Sequence, residues 1–591
     1  MTIAQTTKIG SVLFFGVMLS IFLMGWTIQS HFLLNHDVAW LLEASKRFLN
    51  GGSYSSDFFE NNPPMIIYLY IPPVIVSKIF SMNLIVTFRA YVFLLAFLSL
   101  YFCHIFNKKI FVCEIGNTSQ DTLTRSLFEM GLAITFLVTP LFEFGQREHL
   151  MLILTMPYFL AIACRLQGHT LTRSQAISIG IMGGLGFALK PYFLFPFIFI
   201  ESYYLYRNKN WRAWQRPECL VVLSLFILYP IMVFIFNRDY YSVIVPYAWH
   251  WCYLGARFSW QSILIKAPIL FCVMMILFYL MQSKTNAYKP LMPVLLVALV
   301  GFLTSYMIQH LYYPYHVLPA YSVALLIAII LFAQQLFQPV PHKILWFTAL
   351  IETIAGISFF NDLPFLNLFL LTSQPWIYLK YIAVFFAISF FLIFALKIHQ
   401  NKQQTLSIAT LGMLLFAFPS IYFYTNYICS PNRISIRQKE PELIHFIDTH
   451  ALHKSIYFFT TQSNVILPFY YEDTRYVSRF SFFWMLGALV SQPYFNPTVD
   501  LKQNTQDMDL LINMVSDDLN KKKPDFVLVD TSPVKRYLFY RNQTQGMPIS
   551  FEYLPLFSKN NNFNQAWKHY AYLQNITVDS HVIYAIYQRK E

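Results

Sequence analysis

The chain has 591 residues, 56% of them hydrophobic and 18% aromatic but only 12% charged, with a mean hydropathy of +0.47 and a net charge of +13. Soluble globular proteins carry about 25% charged residues, and disordered chains are charge-rich and poor in aromatics, so both classes are excluded. With 7 cysteines and 19 glycines the chain is no disulfide scaffold or collagen either, which leaves a polytopic α-helical membrane protein.

Taken in chain order, the apolar stretch 11–34 is too long for a signal-peptide core and lacks a small-residue cleavage site, so it reads as a spanning helix. Residues 35–83 read as an interfacial loop. Within it, 38–49 is an amphipathic helix closed by Asn50-Gly51-Gly52, and 64–80 is an apolar piece broken at Pro72-Pro73 and short for a span. Further spans are expected to begin near Leu84, Leu127, Glu148, Gln175, Pro191, Leu220, Ile263, Leu291, Pro314, Ile344, Trp376 and Thr405, about thirteen in all at roughly 20 residues each. After Tyr427 the composition turns polar. Residues 430–591 are expected to form an extracytoplasmic α/β domain, with strands at 455–460 and 525–530, helices at 441–452 and 506–523, and a hairpin of 570–576 with 581–588.

The basic excess belongs to the membrane part, with a net of +11 over 1–429 against +2 over 430–591. Positive-inside topology accounts for it better than a nucleic-acid partner. With the N-terminus inside, Lys108, Lys109, Arg165, Arg207 and Arg212 fall on the cytoplasmic side, while Asp37, Glu43, Glu60, Glu143, Glu148 and Asp239 fall outside.

In a chain so poor in charge, ionisable residues at the membrane surface carry the information. His36-Asp37 follows the first span, with Glu60 further along the loop; ending a helix is the plainer role for the first pair. Glu143 and Gln146-Arg147-Glu148-His149 crowd a short turn, which a salt-bridged structure would also explain. Lys190-Pro191 interrupts an apolar stretch, where a lone lysine can also snorkel. His310, Tyr313 and His316 fall at another outer helix end, and an aromatic belt accounts for the tyrosine. All four clusters map to one side and one depth. Carboxylates with a histidine can hold a divalent cation (Mg or Mn) or act as base, and Lys190, Arg147, His310 and His316 can neutralise a phosphate.

The run His36-Asp37-Val-Ala-Trp-Leu-Leu-Glu43-Ala, followed by Gly51-Gly52, Tyr54 and Asn62-Pro63-Pro64, resembles the first outer loop of C-type (GT-C) glycosyltransferases. These include protein mannosyltransferases and the lipid A aminoarabinose transferase. Glu148 stands where members place a second acidic residue, and at sequence level the match is confined to 36–80 and 140–165. The resemblance implies a polyprenyl-phosphate sugar donor, a lipid, glycan or protein acceptor, and inverting transfer. By position, Asp37 would deprotonate or hold the acceptor hydroxyl, and Glu148 would help bind metal or donor. His36, Glu60, Arg147, His149, Lys190, His310, Tyr313 and His316 complete the expected substrate site. Asp37 and Glu148 are the candidates to hold a metal; many members carry Asp at the second position, often as acid-x-acid, whereas here the sequence is Arg147-Glu148-His149, which leaves a metal requirement open. A phosphate leaving group needs no nucleotide-binding glycine loop, and the sequence has none. The rival readings are a transporter or flippase of lipid-linked saccharides, which would place polar groups such as Glu201 and Glu352 at mid-membrane, and a polymerase or ligase. A bacterial inner membrane with the site in the periplasm is the expected location.

Overall fold

A computed structural model describes residues 3–111, 118–249, 251, 260–264, 266–282, 290–310, 313–335, 440–463, 465–471, 474–495, 500–533, 551–579 and 582–590. The helical part comprises α1 (Ile3–His31), α2 (His36–Leu49), α3 (Met65–Phe80), α4 (Leu84–Ile110), α5 (Thr118–Leu137), α6 (Arg147–Leu166), α7 (Arg173–Phe187), α8 (Leu194–Asn208), α9 (Pro217–Phe236), α10 (Ala267–Gln282), α11 (Leu291–Gln309) and α12 (Pro314–Gln335). Among the described residues, six of these (α1, α4, α6, α9, α11 and α12) contain segments long and apolar enough to cross a membrane. The expected starts at Leu84, Leu291 and Pro314 coincide with helix starts. Residues 344, 376 and 405, and the division at 429/430, lie outside the described residues.

Several expectations are corrected. Helix α5 starts at Thr118, well before Leu127, because its first turns are polar yet helical. Helices α7 and α8 have 15 residues each, about 22 Å of rise, short of a full crossing. Helix α3 runs through Pro72-Pro73 although the prolines remove two backbone donors; Pro73 and Val74 are buried, and packing on α2 holds the helix together. Helix α2 is enclosed by protein rather than laid on lipid, with Val38, Ala39, Leu42 and Ala44 fully buried.

Helix α6 is the hub of the bundle. Every side chain from Arg147 to Cys164 is buried, and the helix packs on α4, α7, α8, α11 and α12. Close approach elsewhere depends on a small residue. A Cβ on Gly301 of α11 would lie 2.6 Å from Pro196 Cα of α8, so only glycine fits there.

The C-terminal region holds a five-stranded mixed sheet in the order β2-β1-β3-β5-β4, made of β1 (Ser455–Phe459), β2 (Arg475–Tyr476), β3 (Phe526–Asp530), β4 (Tyr570–Asp579) and β5 (Val582–Arg589). Strands β1, β2 and β3 are parallel, and β5 is antiparallel to β3 and β4. The expected strands and hairpin are present, and β2 is additional. It is two residues long, too short to show a periodicity. Helices α13 (Pro441–Phe446), α14 (Trp484–Phe495), α15 (Leu501–Lys522) and α16 (Asn561–Trp567) accompany the sheet. Helix α13 corresponds to the expected 441–452 and continues as a wider turn over Ile447–Ala451.

Candidate active site

Four breaks in the helical chain meet at one end of the bundle. Asn35 caps α2 by accepting from the Asp37 N–H at 2.9 Å, which fixes Asp37 in the first turn. Gln146 precedes α6, so Arg147, Glu148 and His149 share its first turn, where a carboxylate is favoured by the helix dipole. Pro191 prevents α7 from continuing, and Lys190 is left extended at φ −146°. Pro314 starts α12 and places Tyr315 and His316 in its opening turn.

These pieces make two linked charge pairs. Arg147 Nη2 lies 3.2 Å from Asp37 Oδ2, and Gln146 Nε2 donates to the same oxygen at 3.3 Å. His36 Nε2 lies 3.4 Å from the other Asp37 oxygen. Beside them, Lys190 Nζ donates to Glu148 Oε1 at 2.6 Å, and His316 Nε2 lies 3.7 Å from that oxygen. Both cations sit over the Tyr315 ring, Arg147 at 5.7 Å and Lys190 at 5.6 Å from its centroid. Glu148 is fully buried, whereas the Asp37 side chain is 28% exposed, so Asp37 is the carboxylate a ligand can reach. Glu148 Oε2 and Arg147 Nε are buried without a hydrogen-bond partner among the described residues, which leaves one acceptor and one donor unspent.

Burial alone would raise the Asp37 carboxyl. The charges of His36 and Arg147 and the Gln146 hydrogen bond outweigh it and hold the group below the usual carboxylate range. A carboxyl lowered on folding adds stability above its unfolded value of about 3.9, and that contribution is lost as pH falls through the lower folded value. The acid limb of any activity that needs ionised Asp37 should therefore lie below the ordinary carboxylate value. Arg147→Gln should move that limb upward, as a pH–rate profile would show; an unmoved limb would remove Arg147 as the cause. Glu60 is the opposite case: burial raises its carboxyl against the Arg147 charge and the bonds from Asn62. It accepts from the Asn62 N–H at 2.7 Å and from the Asn62 side-chain amide.

The other expected residues are placed differently. His149 is a correction, because its Nδ1 accepts from the Gly145 N–H at 2.9 Å and its Nε2 donates to the Phe136 carbonyl at 2.8 Å. Both ring nitrogens are spent on the turn. His310 caps α11 and meets Trp260 edge-on at 4.3 Å. Tyr313 is exposed, stacks on Tyr315 at 5.5 Å and meets His316 edge-on at 5.4 Å, so it borders the site. Sequence reasoning overlooked Tyr315, and also the network in which Gln146 donates to Asn35 Oδ1 at 2.9 Å and Asn35 to Glu143 Oε2 at 3.0 Å. An Asn two residues before Asp37 was the available signal, since that spacing is an N-cap.

Gly145 shapes the turn. Its φ is +82°, and a Cβ would lie 2.6 Å from the Phe88 ring, while Tyr70 donates to its carbonyl at 2.6 Å. Gly145→Ala combines a left-handed backbone with overpacking, together about 2–5 kcal/mol. It should lower the melting temperature in detergent and release the His149 bond; an unchanged melt would show that the turn can relax.

The residues present do not fit a bound divalent cation. Among the described residues no three His, Cys, Asp or Glu side chains converge as a metal's donor set. Of the two carboxylates expected to hold one, Asp37 is taken by Arg147 and Gln146, and Glu148 by Lys190.

No protein-family model matches the chain, and no curated protein matches it. Two solved structures do. The structure of ArnT from Cupriavidus metallidurans bound to undecaprenyl phosphate superposes with a TM-score of 0.52 at 12% identity, covering 98% of this chain and 97% of that one. The same protein in the apo state gives 0.53 at 11%, covering 98% of each. At this identity the likeness is one of fold: the chain is a helical membrane protein with a mixed α/β region near its C-terminus and the fold of ArnT.

Proposed function

We propose that the protein is an integral membrane glycosyltransferase. It moves a sugar from a polyprenyl-phosphate donor to a lipid, glycan or protein acceptor, with inversion at the anomeric carbon. The observation that carries this reading is the Arg147–Lys190 pair over Tyr315, set beside the partly exposed carboxylate of Asp37. Asp37 orients the acceptor hydroxyl and takes its proton as the oxygen bonds to the anomeric carbon and the carbon–oxygen bond to phosphate breaks. Lys190, Arg147 and His316 receive the charge left on the phosphate. Polyprenyl phosphate is named because the ArnT structure of the same fold holds undecaprenyl phosphate. A cytoplasmic N-terminus, a site and C-terminal domain (430–591) in the periplasm, and a bacterial inner membrane belong to the same reading.

Glu201 weighs against a transporter, since its two carboxylate oxygens are engaged by the Tyr158 hydroxyl at 2.7 Å and by Arg216. The test is to incubate purified protein with labelled polyprenyl-phosphate sugars, with and without a chelator. One donor should be consumed with release of polyprenyl phosphate, and chelation should leave the rate unchanged. Passage of an intact lipid-linked saccharide across sealed vesicles, with no cleavage of any donor, would overturn the proposal.

A further inference from the structure

Asp37 and Glu60 stand on different pieces of chain, the start of α2 and the loop before α3. One short segment of the C-terminal region, residues 476–480 beside β2, holds both pieces. From the end of α2, the Arg47 guanidinium donates to the carbonyls of Tyr476 at 2.5 Å and Ser478 at 2.6 Å, and to that of Asp57 at 2.9 Å, while Glu43 accepts from its Nε at 2.9 Å. In the other direction, Arg479 Nη1 donates to the Ser55 carbonyl at 3.0 Å. The Arg479 carbonyl accepts from the N–H of Phe59, the residue before Glu60, at 2.6 Å. Phe59 also packs on the Phe480 ring at 5.3 Å, and Trp40 of α2 on that of Tyr476 at 6.4 Å.

Arg479 is itself fixed from behind. Asp518 of α15 accepts from its Nε at 3.0 Å, from its Nη2 at 3.0 Å and from its backbone N–H at 3.0 Å, and Lys522 pairs with the same carboxylate at 3.0 Å. Arg479 and Asp518 are both buried, with side chains 6% and 1% exposed. A planar guanidinium can hold a carboxylate through Nε and one terminal nitrogen while the other reaches a carbonyl on a different side, a fixed spread of donors that a compact ammonium lacks. The bonds that cross between the regions end on main-chain carbonyls and one main-chain N–H, so they fix where the backbone lies. Glue between two surfaces would not need to grip the loop on either side of its turn.

We propose that Arg479, held by Asp518, is a positioning residue for the transfer reaction: it sets the 55–59 loop, and with it Glu60, relative to α2 and Asp37. The reaction named here rests on the function proposed above. A misplacement of about 1 Å of a reacting group can cost roughly 100-fold in rate. In full-length protein, Arg479→Ala should therefore lower kcat by about 10–100-fold with the donor KM little changed, and Arg479→Lys should restore little of it. Hydrogen–deuterium exchange provides a readout that needs no donor. Protection over 53–62 should fall in Arg479→Ala while that of β1 and β3 stays as in the wild type. Should that variant not fold, Asp518→Asn, which loosens the guanidinium but leaves Arg479 in place, gives the same two measurements. Unchanged exchange over 53–62, or an unchanged kcat, overturns the positioning role even when the wild type transfers sugar. A wild type that cleaves no donor overturns the function instead, while the exchange data still decide whether Arg479 holds the loop.

Discussion

Asp37→Asn should abolish sugar transfer, by about 10²–10⁴-fold as expected for removal of a positioned base, while the protein still inserts and accumulates. The substitution keeps the shape of the side chain and its place in the first turn of α2, where the backbone N–H bonds Asn35 rather than the carboxylate. It removes the negative charge that Arg147 faces at 3.2 Å. Arg147 keeps Gln146 Oε1 at 3.3 Å and stays over Tyr315, so the local structure is held from several sides. The comparison to make is initial rate per unit of folded protein, with a detergent melt as the control. Retained transfer would show that the proton goes elsewhere and would remove Asp37 from the reaction.

The second large effect is expected at the Glu148–Lys190 pair. Both groups are buried, Glu148 completely, and their contact is 2.6 Å. Lys190→Ala leaves the carboxylate with His316 at 3.7 Å. Breaking a buried pair by removing one partner costs about 3–5 kcal/mol, because the remaining charge is neither solvated nor paired. Glu148→Gln should be destabilising for the mirrored reason. The double variant Glu148→Gln/Lys190→Met removes both charges and should regain most of that stability. If Lys190 also receives the donor phosphate, the double variant should still bind polyprenyl phosphate about 10–100-fold more weakly, the worth of a hydrogen bond to a charged group. Melts and equilibrium binding on the four proteins separate the two roles. Recovered stability with full donor affinity would make the pair purely structural.

The two carboxylates could be nominated from sequence because each lies in a local pattern. Asp37 follows a long apolar run by three residues, Glu148 sits in a polar turn between apolar runs, and the family resemblance implied a role at each position. What they face was hidden. Lys190 and Glu148 are 42 positions apart, Arg147 and Asp37 110 apart, and only the packing of α6 against its neighbours brings them together. His149 misled for a related reason: its residue type suits a ligand site, yet the turn spends both its nitrogens on backbone groups. The bonds that Arg47 and Arg479 donate between the two regions were illegible in principle, since they end on main-chain carbonyls, which carry no residue identity. Helix lengths were legible where the apolar run and the helix coincide, as in α4, and misplaced where a helix has polar turns, as in α5.

The enclosure of α6 also bears on how the site relates to the thickness of the bilayer. Apolar segments of α1 and α9 are only 17% buried and face what surrounds the protein, whereas that of α6 is 89% buried. Lipids of longer or shorter chains act on tilt through exposed helices, at fractions of a kcal/mol per ångström of mismatch. That strain falls on α1 and α9 and reaches Glu148 only through the packed core. The charged turn should therefore keep its internal geometry across membranes of different thickness. A lipid headgroup outside would instead ride up or down with the leaflet, so membrane thickness would tune the approach of a lipid-borne substrate without reshaping the site that receives it.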